Sequence, residues 1–258
     1  MTSSAESPEQ HLQAPWRSAL SRSEIDSLLT MQDWRTAVSI GVNWAIVFAA
    51  LACVQYWTNP ITIVAALFII GARQLGFAVL MHEASHRSLL SDRRWNDWVG
   101  NWLCAYPIWS DLTPYRPYHL KHHARTGAAE DPDIGLIKPF PITPASFRRK
   151  VWRDLSGQTG IKFAQAAWQR TFGQWHVDPV AKSAARGFAI TNLLLLVILS
   201  TWGSPALYLL WAGAWLTTHT LVTRVRSIAE HALTPDPADP LGNTRTTLAR
   251  WWERLLIA

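Results

Sequence analysis

Charge is scarce in this chain. Asp, Glu, Lys and Arg make up 16% of its 258 residues, whereas hydrophobic residues make up 49% and tryptophan alone occurs 16 times. The length would allow one or two soluble domains, but so little charge beside so much apolar surface argues against them. Mean hydropathy is close to zero, so a sizeable polar portion must accompany the apolar stretches. Cysteine is scarcer still. Cys53 and Cys104 lie in apolar surroundings without CxxC spacing, which excludes a disulfide framework and a zinc knuckle and leaves two small core residues. Residues 1–37 contain no short apolar core behind a basic start, so they do not read as a secretory signal peptide. The net charge of +6 would indicate nucleic acid only if the basic residues clustered on a soluble domain. Here they lie beside apolar runs, which fits anionic lipid headgroups and excludes nucleic acid as the partner.

Four long apolar runs are present: 38–57, 61–81, 187–203 and 205–223. About twenty helical residues span roughly 30 Å, the thickness of a bilayer's hydrocarbon core. The connections at 58–60 and 203–204 are too short for anything but tight hairpins. Both lack Lys and Arg, while the segment from Arg87 to Arg186 holds fifteen. Positive residues collect on the cytoplasmic side. The expected fold is therefore all-α: an integral, multi-pass membrane protein of four spans in two transmembrane helical hairpins. Both termini and a cytoplasmic helical cap lie on one side, with 1–37 as a cytoplasmic N-terminal segment and 38–258 as the membrane domain. Trp57 and Trp202 sit where an interfacial aromatic belt would place them. Residues 95–109 are too short to span and suit an interfacial or re-entrant helix. Residues 126–144 read as a loop, 147–172 as an amphipathic surface helix, and Ser23 to Asp26 as the start of a short helix.

The chemistry-bearing residues are histidines. His119, His122 and His123 stand at i, i+3 and i+4, so a helix presents all three on one face. Three protonated imidazoles so close would repel one another, whereas neutral imidazole is the commonest metal-binding side chain. With nine histidines in the chain, three in five positions argue for half of a metal site rather than a polar face. His82 and His86 follow the second span at i, i+4, and His231 follows the fourth, so three sets converge on the cytoplasmic face. His82-Glu83-x-x-His86 also satisfies the zinc metalloprotease pattern, with Glu83 as general base. A single catalytic zinc takes about three protein ligands; six clustered histidines suit two metals better. Glu83, Asp131, Asp133 and Glu230 are candidates to orient the imidazole rings through their second nitrogens, or are solvated surface charges. Arg73, inside the second span, is functional or snorkels to the cytoplasmic face. His219, about 18 Å of helix before His231, is left out of the ligand set, and His11 and His176 read as surface residues.

HEASH at 82–86, HLKHH at 119–123, and AEH followed by TRTT at 229–247, with HRSLLSDRRWNDWVGNW and HHARTGAAEDPD beside the first two, resemble the membrane fatty acid desaturase superfamily over residues 70–258. The resemblance implies a histidine-rich di-iron centre that activates O₂ and removes hydrogen from an unactivated C–H bond. Its iron ligands would be His82, His86, His119, His122, His123 and His231, its cofactors two iron ions, and its co-substrate O₂. It implies a desaturase of fatty acyl chains or lipids, or a lipid or carotenoid hydroxylase or ketolase with similar boxes. A lipid-binding, non-catalytic protein on the same scaffold is the reading from another class. No fused haem or ferredoxin-like domain is visible, so electrons come from a separate ferredoxin- or cytochrome-type donor. The family pattern continues after TRTT with a further HxxHH box, whereas no histidine follows His231. The expectation is a chain truncated at its C-terminus, since the apolar helical pattern at 251–258 also lacks a stop signal.

The orientation is testable by labelling. Single cysteines placed at Asn59 and at Arg149 are expected to show opposite accessibility from outside intact cells, and equal labelling overturns the topology.

Overall fold

The computed structural model describes residues 19–137, 139–234, 242–246, 248 and 250. Among them there are helices and connecting turns and no strand. His11 and the apolar pattern at 251–258 lie outside the described residues. Two compact units are present, Met1–Gln32 and Asp33–Ala258.

In the first unit, α1 covers Arg22–Leu29 and starts in a capping box. The Ser21 hydroxyl accepts from the Glu24 amide (3.3 Å), and the Glu24 carboxylate accepts from the Ser21 amide (2.8 Å). The expected start at Ser23 is thus displaced by two residues. The pair Ser21 and Glu24, three apart, closes reciprocal bonds, whereas Ser23 and Asp26 do not.

The second unit is built on α3 (Pro60–Ser85), which packs against α2 (Asp33–Tyr56), α5 (Leu112–Arg125), α10 (Leu207–Leu216) and α11 (Thr218–His231). The turn before α3 is fixed chemically. Asn59 Oδ1 accepts from the amides of Ile61 and Thr62 at 3.0 and 3.1 Å, and Pro60 occupies the first helical turn, where its missing N–H costs nothing. At 26 residues, α3 is about 39 Å long. It therefore outlasts a bilayer core and carries His82 beyond the apolar run on the same rigid rod.

Among the described residues, three helical stretches are long and apolar enough to cross a membrane: the one ending at Tyr56, which includes α2; α3; and α9 (Pro179–Trp202). Their outward faces expose large apolar side chains such as Val64, Phe68, Leu193 and Leu194, as a lipid-facing surface requires. The inward faces meet in a cluster of Val47, Leu51, Ile70, Phe77, Leu199 and Trp211. Trp44 stacks on Trp211 at 5.5 Å and lies 4.6 Å from Phe77. Lipid tails are as apolar as this core, so packing here rests on dispersion and hydrogen bonds more than on water exclusion. Arg73 sits midway along α3 and is 3% exposed. It does not snorkel to water.

The expected span at 205–223 is not one helix. It divides at Thr217 (φ −122°, ψ −85°) into α10 and α11. The reason is the polar run Thr217-Thr-His-Thr220. Thr217 Oγ1 donates to the Gly213 carbonyl at 2.6 Å and Thr218 Oγ1 to that of Leu67 on α3 at 2.5 Å, so side chains compete with the backbone ladder. Gly71 permits the contact, since a Cβ there would lie 2.2 Å from Thr218 Oγ1.

The stretch expected as interfacial or re-entrant is α4 (Arg93–Val99), a π-helical run Gly100–Ala105 and a 3₁₀ turn Tyr106–Ile108. Changes of helix type leave carbonyls unpaired. Two of them are taken by indoles: Trp211 Nε1 donates to Pro107 O (3.2 Å) and Trp215 Nε1 to Ile108 O (2.7 Å). The expected loop at 126–144 contains one helical turn, α6 (Ile134–Ile137). The single surface helix expected at 147–172 is two, α7 (Pro144–Leu155) and α8 (Gln158–Thr171), broken at Gly157 with φ +78°. Asp154, fully buried, joins them to α11 by a two-pronged ion pair with Arg224 (2.5 and 2.8 Å).

Gly160 on α8 marks a contact that no side chain can enter, because a Cβ there would stand 2.1 Å from the Leu216 carbonyl oxygen. Gly160→Ala should cost at least about 2 kcal/mol. Gly41→Ala on α2, with nothing within 4 Å, should be neutral or stabilising by up to about 1 kcal/mol. Thermal denaturation of the detergent-solubilised chain reads both: the melting temperature should fall for the first and hold or rise for the second.

Candidate metal centre

His82 lies in the last turn of α3, and His86 is its C-terminal cap. His119, His122 and His123 lie on α5, whose N-cap is Asp111. The two elements are locked by residues that the sequence pattern did not single out for this role. Arg116 Nε and Nη2 donate to the carbonyls of Ser85 and Ala84 at 3.1 and 3.0 Å, and the guanidinium also pairs with Asp97. A guanidinium at a helix C-terminus satisfies orphan carbonyls and complements the dipole. Asn96, fully buried, donates to Ala84 O (2.9 Å) while its Oδ1 accepts from the amides of Leu89 and Leu90. The turn after His86, where Arg87 has φ +60°, is thereby held against α3. The only sequence signal for this clamp is polar residues interrupting an apolar segment, RRWNDW, with an arginine three residues before His119.

Four imidazoles converge. Donor nitrogens of His82, His86, His119 and His123 all lie within 4.8 Å of one another. His119 Nε2 is 2.9 Å from both His86 Nε2 and His123 Nε2, and the rings of His82 and His119 are 4.3 Å apart. Two nitrogens bound at right angles to one ion at about 2.1 Å would be about 3.0 Å apart. An all-imidazole donor set of this spacing suits iron, zinc, copper or nickel. The residues present fit a metal ion.

His122 faces the other way. Its Nδ1 is 2.7 Å from Asp131 Oδ1 and 3.7 Å from Asp133 Oδ2. Asp131 is 2% exposed and also accepts the amides of Gly127 and Asp133, so its carboxylate is fixed before it meets the ring. The His122 ring lies 5.0 Å from that of His231, at the end of α11, and 6.0 Å from that of His119. The buried Nδ1 of His231 makes no hydrogen bond. Thus the six histidines fall into a group of four and an adjacent pair.

Of the other candidate residues, Glu83 Oε1 is 3.0 Å from His82 Nδ1, and its Oε2 accepts from Ser88 Oγ. Asp133 also accepts from the Tyr118 hydroxyl at 2.5 Å. Glu230 pairs with Arg226 at 2.8 Å and stands 3.9 Å from His231 Nε2. His219 is buried on α11 away from the cluster, its ring against Trp215. His176 is exposed.

Electrostatically the cluster favours neutral rings. Burial and then the neighbouring imidazoles His82, His123, His86 and His122 push His119 down to about 3. Burial followed by His86, His122 and His82 pushes His123 down to about 4. His86 is lowered by burial and His82, against Glu83, and His231 by burial and His122. Neutral imidazoles hold their lone pairs ready for a cation.

The arrangement defines a class: an α-helical protein with apolar, membrane-length helices and, at the end of one of them, a cluster of histidines able to hold a metal ion. The family model described as "Fatty acid desaturase" matches residues 58–258; the chain belongs to the fatty acid desaturase family. It is similar to a dihydrorhizobitoxine desaturase of Bradyrhizobium elkanii, 28% identical over 217 residues that cover 76% of this chain and 59% of the relative. It is also similar to a zeaxanthin 4-ketolase of Chlamydomonas reinhardtii, 29% identical over 131 residues that cover 50% of this chain and 29% of that one. The chain therefore matches less than two thirds of the length of the first relative and less than one third of the second.

Both His119 and His123 titrate below the ordinary histidine value of about 6.5. As pH falls, the unfolded chain takes up those protons first, so stability is lost on acidification. The protein kept free of metal should melt progressively lower as pH drops from about 6.5 towards 3. His119→Gln should flatten the upper part of that window, where carboxylates contribute little; a melting temperature level across it contradicts the burial of neutral rings.

Proposed function

We propose that this chain is a membrane-bound, iron-dependent oxidoreductase that desaturates fatty acyl chains or lipids with O₂. The observation that carries the reading is the convergence of His82, His86, His119 and His123 within 4.8 Å at the end of a membrane-length helix. Two irons are proposed, one at this group and one beside His122 and His231. Bound iron would supply the oxidising power to take hydrogen from an unactivated C–H bond, which no side chain possesses.

In this reading Glu83 and Asp131 hold the rings of His82 and His122 through Nδ1, leaving Nε2 for metal. Asp133 backs Asp131 through its amide, whereas Glu230, paired with Arg226 and 3.9 Å from His231 Nε2, is not placed to hold that ring. Forming one C=C bond removes two hydrogens from the chain. With O₂ reduced to two waters, two further electrons and two protons are consumed, so a separate ferredoxin- or cytochrome-type donor is required. The topology that fits is four spans in two hairpins with both termini cytoplasmic, α10 and the first turns of α11 together returning from α9. All the ligands then face the cytoplasm, where such a donor is available.

A lipid or carotenoid ketolase or hydroxylase is the second reading, supported by the similarity to the ketolase. A zinc protease on His82-Glu-x-x-His86 is disfavoured, because the Glu83 carboxylate is engaged by His82 and Ser88 and is not left free to act as a base on water.

Elemental analysis of the purified full-length protein should find iron, lost in His119→Ala; stoichiometric zinc without iron would sink the proposal. Mass spectrometry of lipids from cells expressing the full-length gene should then show a new double bond. A new carbonyl or hydroxyl group would favour the second reading.

A further inference from the structure

Between them α7 and α8 carry Arg148, Arg149, Lys150, Arg153, Lys162 and Arg170, against one acidic residue, Asp154. That aspartate is fully buried and already paired with Arg224, so it neutralises nothing on the outer surface. Arg148, Arg149 and Trp152 lie on the face of α7 opposite Asp154, as helical periodicity requires. With Ala145, Arg153 and Gln158 they line an open groove of ≈ 530 Å³. None of the three arginines makes an ion pair among the described residues. Trp152, set among them, is 68% exposed.

Two ties fix where this surface lies. Gly160 of α8 is seated on the carbonyl of Leu216, the last residue of α10, and Asp154 of α7 holds Arg224 on α11. Both helices are therefore strapped to the side of the bundle where apolar runs give way to charge, at Lys182 and Arg186 on α9 and at Arg224 and Arg226 on α11. In the proposed topology that side is the inner edge of the membrane. Apolar side chains are left outside on α8 as well. Ile161 and Trp168 are 50% and 57% exposed; seven residues apart, they share one flank. An acidic soluble protein would neutralise the arginines but give the indoles and Ile161 nothing to enter. A bilayer surface takes both, its phosphates meeting guanidinium groups and its interfacial layer the tryptophans.

We propose that the groove on α7 binds the headgroup phosphate of an anionic phospholipid, held by Arg148, Arg149 and Arg153 with Trp152 beside it in the interfacial layer. The inference takes from the oxidoreductase reading only the choice of the cytoplasmic leaflet, and the binding itself does not depend on iron. Because Asp154 links α7 to α11, a lipid held there also sets the height above the bilayer of the helix that ends in His231.

Native mass spectrometry of the full chain in non-ionic detergent tests this, with dioleoyl phosphatidylglycerol and dioleoyl phosphatidylcholine as probes. At equal lipid concentration the anionic lipid should be retained about tenfold more. The triple variant Arg148→Gln, Arg149→Gln, Arg153→Gln should lose that preference and melt like the parent, because exposed side chains without partners add little to stability. The double variant Arg93→Gln, Arg94→Gln, which removes exposed charge from α4, should keep it. No preference in the parent, a preference that survives the triple variant, or an equal loss in the α4 variant overturns the proposal. Millimolar inorganic phosphate should not displace the lipid; displacement would mark a free-phosphate site and overturn the assignment to lipid. A triple variant that keeps the lipid preference but is no longer reduced by a ferredoxin-type donor would give the groove to the donor instead. Iron content measured on the same samples separates the two claims. Iron without lipid preference defeats this inference alone, and lipid preference without iron defeats the oxidoreductase reading alone.

Discussion

Arg116 holds the site together. Its guanidinium occupies the carbonyls of Ala84 and Ser85, the last turn of α3, and is itself fixed by Asp97. Without that clamp α3 and α5 would be two helices with histidines at their ends. With it, His82 and His86 from one and His119 and His123 from the other are held in register. The interaction is strong because it joins a charged donor to two carbonyls at the helix end, that of Ala84 shared with Asn96 and the Arg87 amide, and to a carboxylate. Proline at 117, inside α5, weakens that helix's own ladder, which makes external support at the preceding residue more consequential.

Crowding of the four rings would be costly if they were charged, and burial makes it costlier. Both effects act in one direction, keeping His119 and His123 neutral. The site is therefore prepared for a cation by the same desolvation that would otherwise destabilise it. Around it, carboxylates are placed on the outer nitrogens: Glu83 on His82 and Asp131 on His122. This is the usual way a protein sets the tautomer and orientation of a ligand ring.

The membrane portion supplies rigidity in a different currency of interactions. Trp44, Phe77 and Trp211 interlock, and the indoles of Trp211 and Trp215 satisfy carbonyls released where the chain passes from π to 3₁₀ geometry. These links connect α10 to the segment leading into Asp111 and α5. The break at Thr217 redirects the chain so that α11 delivers His231 to within 5.0 Å, ring to ring, of His122.

Much of this was legible in the sequence because it depends on periodicity. Offsets of three and four put histidines on one face of any helix, and apolar runs of about twenty residues bounded by Asn-Pro or Gly-Ser set the long helices. Family membership followed from the motifs and their order. What periodicity could not supply was anything decided between elements. The division of the 205–223 run depended on Thr218 finding a carbonyl on α3 and on Gly71 leaving room for it. The separation of six histidines into four and two depended on which way α5 turns its face, and the sequence shows all three of its histidines as equivalent. Asn96, Asp97 and Arg116 looked like polar residues flanking a motif, because a hydrogen bond to a carbonyl twelve or thirty residues away leaves no local pattern. A cavity beside Tyr115 has no sequence signature at all, since its walls come from α5, α8 and α9, brought together by packing alone.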